Sequence, residues 1–288
     1  MTGKGVTLYL LAFDVLSLGL GATAAALMLR AGVVYTGITA HYIVVAIVFA
    51  YAAQINASFG VVCALVASLL LIVLSFLLRA YNARSYIISL YAFSLAAIPA
   101  GNFVLATTSG AKEGVASPAV DWGLKDAGAV TAAALILLSA AGAYALLNRS
   151  WRGVLLQHWG SLASRDVQDM RISSVFSLHR VALAGWPTAV IAAVLFVCAV
   201  LFGCFVPHGA YTVDFYQRTP FLALLFALIG HRRVSFLLLI VLIYGIASGV
   251  MQYTINRSNL TIPLDALLVF YGLMFFMIIY FQQKRLDD

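Results

Sequence analysis

The sequence predicts an all-α protein that crosses a membrane several times, and three observations support this prediction. Hydrophobic residues make up 64% of the 288 residues, and only 9% are Asp, Glu, Lys or Arg, against roughly 25% in an ordinary soluble domain. Apolar runs long enough for a helix to cross a bilayer recur along the chain. These runs are apolar throughout, whereas the strands of a membrane barrel would alternate with polar residues. We therefore expect a polytopic transmembrane helical bundle.

Nine apolar segments are predicted, all within a single domain covering residues 1–288. Lys4 precedes the first segment, which lacks a clear cleavage site, so we interpret it as a retained span and not as a removed signal peptide. The seventh segment has only about half the length that a crossing needs, which leaves about eight or nine spans. The segments are residues 6–29, 33–53, 59–78, 86–106, 127–147, 181–206, 220–230, 234–253 and 264–281.

Basic residues between the apolar segments predict the orientation, because Lys and Arg are enriched in cytoplasmic loops. Residues 148–180 form the most polar region and contain five arginines and two aspartates. Placing this region in the cytoplasm puts the N-terminus outside and the C-terminus inside, provided that residues 220–230 cross. We therefore expect a multi-pass protein of a bacterial-type cytoplasmic (inner) membrane. The net charge of +7 reflects such loop residues and does not indicate nucleic-acid binding.

Few side chains in the apolar segments could carry chemistry. Asp14 is the only acid well inside a predicted span, and an ionisable group is costly at that depth, so it is a functional candidate. The alternative is that Asp14 lies near the outer end and reaches water or a neighbouring helix. Together with Tyr35 and His41 it forms a candidate translocation path. For His41, a satisfied polar core residue is the better interpretation, because haem ligation favours paired histidines on facing helices.

No motif indicates an enzyme, a cofactor or a metal site. The chain has no Walker A sequence, no GxSxG and no HExxH. Its three cysteines, Cys63, Cys198 and Cys204, lie in apolar stretches without the spacing of metal ligands. We therefore expect a non-catalytic protein without a cofactor.

Residues 148–180 also contain a candidate amphipathic helix. Leu155, Leu156, Trp159 and Leu162 approximate helical spacing, with polar residues between them. Such a helix on the cytoplasmic face could lie on lipid headgroups, or it could dock into a groove on a partner protein. The residues alone do not decide between these two alternatives.

Four local matches, in the correct order, resemble the permease subunits of ABC importers for branched-chain amino acids. The wider group includes urea, amide, simple-sugar and nucleoside permeases. At several motif positions, including Val33, Tyr35 and Arg171, the chain departs from the family's pattern, so it resembles a divergent member. The matches lie at Ala31, Gly32, Gly37 and Ala40; at residues 84–93 and 109–118; at Ser150, Gly153, Leu156 and Ile172; and at residues 205–207 and 229–230.

The resemblance implies a role for the cytoplasmic segment 148–180, because in this family the corresponding segment contains the coupling helix that docks on an ATPase. It also implies a second permease subunit (a copy or a paralogue), two ATP-binding cassette ATPases and an extracytoplasmic substrate-binding protein. The chain would then move a small polar solute inward, with amino acids as the first expectation. The alternative is a structural or assembly subunit of a larger membrane complex. The coupling residues implied by the resemblance are Gly153, Leu156, Trp159, Asp166, Asp169 and Ile172.

Overall fold

The fold is described by a computed structural model that covers residues 3–31, 33–81, 85–109, 115–116, 174–206, 210–211, 213–230 and 234–258. Over these residues the predicted all-α class is confirmed, apart from one two-residue antiparallel ladder. The ladder pairs β1 (Val115–Ala116) with β2 (Ala210–Tyr211). The helices are α1 (Gly3–Arg30), α2 (Ile38–Ala53), α3 (Ala57–Tyr81), α4 (Tyr86–Ser109), α5 (Ser174–Val200), α6 (Val213–Gly230) and α7 (Val234–Ser258).

Within the described ranges, four helical segments are long and apolar enough to cross a membrane. They are Ala12–Arg30, Ala57–Arg79, Tyr86–Val104 and Trp186–Phe205. Three shorter apolar helices accompany them, at Ile38–Ala53, Thr219–Gly230 and Ser235–Val250. The predicted segments 127–147 and 264–281 lie outside the described residues. The chain divides into two compact units, Met1–Leu242 and Ile243–Asp288. The described part of the second unit is the end of α7, residues 243–258.

Helices α1 and α5 form the centre of the first unit. Of their apolar spans, 72% is buried, against 22% for the spans in α3 and α4. α1 packs against α5 and α6, while α2 packs against α3 and α4. Small side chains let these backbones approach closely, and Ala22, Ala24 and Ala25 of α1 are completely buried. The outer helices instead expose large apolar side chains, which suits a lipid environment.

The second predicted span, residues 33–53, begins as a helix only at Ile38, so its predicted boundary is wrong by five residues. Val33 to Gly37 form a non-helical segment in which Val33 and Tyr35 are buried. Val, Thr and Gly favour the helix less than Ala or Leu do, whereas hydropathy counts only apolar character. α2 therefore has 16 residues and a length of about 24 Å, which is shorter than the roughly 30 Å hydrocarbon layer.

The seventh predicted segment, residues 220–230, is the second part of a longer helix. α6 begins at Val213 and includes Pro220 in its interior. Its first turns contain Asp214, Gln217 and Arg218, which lower the local hydropathy and hide the helix from a search for apolar runs. The helix before it, α5, continues into a π-helical turn at Leu201–Phe205.

Candidate functional site

A chain of hydrogen-bonded side chains runs through the centre of the first unit. The Tyr35 hydroxyl lies 2.6 Å from Nδ1 of His41, and Nε2 of His41 lies 2.8 Å from Oγ of Ser68. The Ser68 hydroxyl then donates to the carbonyl oxygen of Ala193 at 3.2 Å. These hydrogen bonds thus join the segment before α2 to α2 itself, to α3 and to α5. Tyr35, His41 and Ser68 are each at most 2% exposed, so the path is closed to solvent.

The direction of these hydrogen bonds follows from the last acceptor. A carbonyl oxygen can only accept, so the single hydroxyl hydrogen of Ser68 points to Ala193. The Ser68 oxygen is then left to accept from Nε2–H of His41. His41 is neutral, because an unpaired buried charge is costly. Its Nδ1 therefore accepts from the Tyr35 hydroxyl, which assigns the Nε2–H tautomer.

The ring of Phe196 in α5 packs beside these hydrogen-bonded groups. Its ring centroid lies 4.5 Å from the His41 ring, 5.7 Å from the Tyr35 ring and 6.0 Å from the Tyr42 ring. Tyr35 and His41 also meet edge-on, at 5.6 Å. These ring contacts help to bury the polar groups of Tyr35 and His41.

The segment Val33 to Gly37 places Tyr35 over His41, and neighbouring helices hold this segment. The N–H of Val34 donates to the Tyr86 hydroxyl at 3.1 Å, and the Ser94 hydroxyl donates to the carbonyl of Thr36 at 3.0 Å. The Thr36 hydroxyl in turn donates to the carbonyl of Ile87 at 2.9 Å. Buried backbone that leaves a helix needs other hydrogen-bond partners, and α4 supplies those partners here.

Arg79 of α3 binds the backbone at the end of α1, just before this segment. The Arg79 guanidinium donates from Nη1 to the carbonyl oxygen of Ala31 at 2.6 Å, and Arg79 is only 6% exposed. A cation next to the last carbonyls of a helix is favourable, because those carbonyls carry partial negative charge. Arg79 therefore fixes the end of α1 immediately before the segment that carries Tyr35.

The structure brings together two of the three predicted path residues. Tyr35 and His41 are in direct contact and buried, whereas the Asp14 side chain is exposed. Asp14 follows Phe13, whose ring stacks on Phe202 at 6.2 Å. The six predicted coupling residues of segment 148–180 lie outside the described residues.

His41 is a satisfied core residue, as the sequence interpretation favoured. Both of its ring nitrogens are engaged, so neither can ligate haem iron without losing a hydrogen bond. Ser68 is equally unsuited to act as a nucleophile, because its hydrogen is directed at Ala193 and not at the imidazole. In the part of the chain that the structure describes, no three His, Cys, Asp or Glu side chains are grouped to hold a metal.

Sequence reasoning did not identify three residues that complete this region, namely Ser68, Phe196 and Ser17. The Ser17 hydroxyl donates to the carbonyl of Ala199 at 2.6 Å, across 182 positions of sequence. A serine within an apolar span is a detectable signal, because its hydroxyl needs a partner. The partners are backbone carbonyls of a distant helix, which no local pattern reveals.

No protein-family model, curated protein or solved structure matches the chain. The functional argument therefore depends on the residues and on their geometry.

Proposed function

We propose that this chain is the permease subunit of an ABC importer that carries a small polar solute inward, with an amino acid as the first solute to test. The observation that carries the proposal is the short helix α2, entered through the non-helical segment Val33 to Gly37, in which Val33, Tyr35 and Gly37 are buried. Helices too short for a full crossing that are joined to irregular backbone are a recurring device of transporters, where they line the substrate site. The sequence resemblance to branched-chain amino-acid permeases supports the same conclusion.

In this proposal the chain performs no chemistry, and its partners supply the energy. A second permease subunit, two ATPases and an extracytoplasmic binding protein complete the importer. ATP binding and hydrolysis shift the permease between inward-facing and outward-facing states, because each state fits the ATPase dimer differently. The segment 148–180 docks on the ATPase through apolar residues such as Leu156 and Trp159. Asp166 and Asp169 set the register at the rim of this contact.

The direct test is purification of the chain from its native membrane, followed by uptake measurements on the reconstituted complex. ATPase subunits should co-purify, and uptake should depend on ATP. Trp159→Glu should weaken ATPase retention by about 30-fold or more, since a buried interface Trp contributes about 2 kcal/mol or more. Trp159→Phe keeps an apolar ring and serves as the matched control. A complex without any nucleotide-binding subunit, or uptake unchanged by Trp159→Glu, would contradict the proposal.

A second candidate function, a structural or assembly subunit, is favoured by a different observation. The polar groups that the three hydrogen bonds connect, in Tyr35, His41, Ser68 and Ala193, are all satisfied and buried. This arrangement suits a static scaffold. If so, the parent complex should keep full activity when no solute passes through this chain. ATP-dependent import by the reconstituted complex would argue against this alternative.

A further inference from the structure

Two groups of helices, α1–α3 and α5–α7, have matching helix ends. α2 ends at Ala53 and α6 at Gly230, a displacement of 230 − 53 = 177 residues. α3 spans Ala57–Tyr81 and α7 spans Val234–Ser258, so both ends of α7 are displaced by the same 177 (234 − 57 and 258 − 81). The pairs α2–α3 and α6–α7 form two helical hairpins, and a long helix precedes each of them. Arg30 ends α1, and the displaced position, 207, lies two residues beyond the π-helical turn that continues α5.

Residue identities coincide at the same displacement. The run Ala46, Phe49 and Ala50 in α2 recurs as Ala223, Phe226 and Ala227 in α6. At the start of the following helix, Ser58 and Phe59 recur as Ser235 and Phe236. In each case these identities lie in two successive helices, on either side of a connection of three residues.

Burial coincides as well. Positions 45, 46, 49, 50, 53, 60 and 64 are buried, and so are all seven positions 177 residues later. Positions 51, 58, 59 and 62 are exposed, and so are their four counterparts. The two hairpins therefore turn the same faces inward, which a chance coincidence of helix lengths would not produce.

Each hairpin also has one glycine at the corresponding close approach of its two helices. A Cβ built on Gly60 would lie 3.0 Å from the Cβ of Ala53, and one built on Gly230 would lie 2.7 Å from the Cβ of Leu237. Ala53 corresponds to Gly230, and Gly60 corresponds to Leu237. In each hairpin one of these two positions must therefore be a glycine. The glycine is in the second helix of the first hairpin (Gly60 in α3) and in the first helix of the second hairpin (Gly230 in α6).

Contacts between the two regions show that they run in opposite directions. Phe13 stacks on Phe202, and Ser17, one turn later, bonds to Ala199. The residue numbers rise in α1 while they fall in α5, so the two equivalent helices are antiparallel.

Helix α2 runs parallel to α5, as its ring contacts show. His41 meets Phe196, and Phe49 meets Phe205, at centroid distances of 4.5 and 4.6 Å. The turn after α2 therefore lies at the end of the bundle where α5 finishes. α6 starts near that end and then returns, because its Ala223 contacts the middle of α1 at Gly21. Gly230, where α6 ends, consequently lies at the opposite end.

We infer that residues 3–65 and 180–242 are two copies of one three-helix unit, inserted in opposite orientations, and that they move against each other where α1 meets α5. The movement rests on the proposed transport function, whereas the repeat does not. Inverted copies suit a transporter, because exchanging their conformations converts one end state into the other. The first copy is linked to α5 by two serine hydroxyls, through the bonds from Ser17 to Ala199 and from Ser68 to Ala193.

The sequence extends the correspondence by one further helix. The predicted span 264–281 corresponds, less 177, to residues 87–104, which lie within α4. The span itself is outside the described residues, so a fourth helix in the second copy is an expectation from the sequence.

The orientation can be tested at two equivalent serines near the two turns. Ser58→Cys and Ser235→Cys are made separately in a background where Cys63, Cys198 and Cys204 are replaced by alanine. Both serines are exposed second residues of their helices. A membrane-impermeant maleimide should label one variant in right-side-out vesicles and the other only in inside-out vesicles. Labelling of both from the same side, or labelling of either only after solubilisation, would overturn the inverted repeat.

The movement is tested by a cross-link between the copies, against the same cysteines without the cross-link. Oxidation of Ser17→Cys with Ala199→Cys should form a disulfide and reduce uptake by about tenfold or more, reversibly with a reductant, if domain movement is required. Each single cysteine variant under the same oxidation, and the double variant kept reduced, should retain uptake within about twofold. A missing cross-link between positions 17 and 199 would contradict the α1–α5 contact, and full uptake with it in place would contradict the movement. If uptake is absent without any cross-link while the labelling is two-sided, the proposed function fails and the repeat stands.

Discussion

A methyl group at Gly21 should destabilise the bundle, because α1 meets two other helices there. A Cβ at this position would overlap the Tyr42 hydroxyl, and it would lie 3.2 Å from Cζ of Tyr42 and 3.3 Å from the Cβ of Ala223. The Tyr42 ring cannot simply move aside, since it packs edge-on against Phe196 at 6.0 Å. The substitution Gly21→Ala therefore forces either the tyrosine or the helix to shift.

The size and sign of the effect follow from two opposing terms. Replacing glycine by alanine inside a helix gains about 1 kcal/mol in propensity. Overpacking a well-filled interior costs about 1–3 kcal/mol, and more when backbone must move. Direct overlap with the hydroxyl places Gly21→Ala at the upper end, so we expect a net loss of about 1–2 kcal/mol. Tyr42→Phe removes the overlapping oxygen, and the double variant should recover about 1 kcal/mol or more through coupling of the two sites.

The assay is unfolding of the purified protein in detergent, followed by circular dichroism, for wild type, both single variants and the double variant. Gly37→Ala is the control. Gly37 has φ −76° and ψ 7°, and a Cβ there would lie 3.3 Å from Cδ2 of Leu90, the movable end of that side chain, with the Leu90 Cβ at 3.5 Å and the backbone oxygen at 3.7 Å. Its cost should stay below about 1 kcal/mol. Strictly additive effects of Gly21→Ala and Tyr42→Phe, or a Gly21→Ala variant more stable than wild type, would refute the packing argument.

Two further predictions concern the polar groups around the candidate site. Ser68→Ala leaves Nε2–H of His41 without its acceptor and should cost about 1–3 kcal/mol, whereas Ser89→Ala removes an exposed bond to the carbonyl of Ser85 and should be nearly neutral; equal losses in detergent unfolding would contradict the assignment. Arg79→Met keeps the apolar stem but removes the bond to Ala31, so the unfolding free energy should fall by about 1.5–3 kcal/mol. Arg79→Lys should recover part of that loss, and a lysine variant no better than methionine would show that the charge is unimportant there.

The helices that hydropathy located best are those with one simple environment. The predictions 59–78 and 86–106 lie within α3 (Ala57–Tyr81) and α4 (Tyr86–Ser109), because apolar character governs helices that face lipid. The prediction was poorer for α2 and α6, which pack among other helices. The start of α2 depends on hydrogen-bond partners such as Tyr86 and Ser94, which are about 50 residues or more from the atoms they bind. The start of α6 is missed because its first turns contain polar residues.

The candidate site was only partly visible in the sequence, for a related reason. His41 is conspicuous as a histidine in an apolar run, and its interpretation as a satisfied core residue was confirmed. Tyr35 became its partner only because the segment before α2 is not helical, and Ser68 and Ala193 reached it from two other helices. The coupling residues and the transport role remain predictions.

The inverted arrangement shows most clearly how the two sources of information divide. Composition alone established a membrane protein, because 64% hydrophobic residues cannot be hidden within a soluble fold of this size. The five hairpin identities between the two copies are too few to recognise in one sequence. The equal helix boundaries, the matching buried faces and the antiparallel contact of α1 with α5 made the repeat visible. Packing constrains burial and helix ends more tightly than residue identity, since many apolar side chains fill the same space.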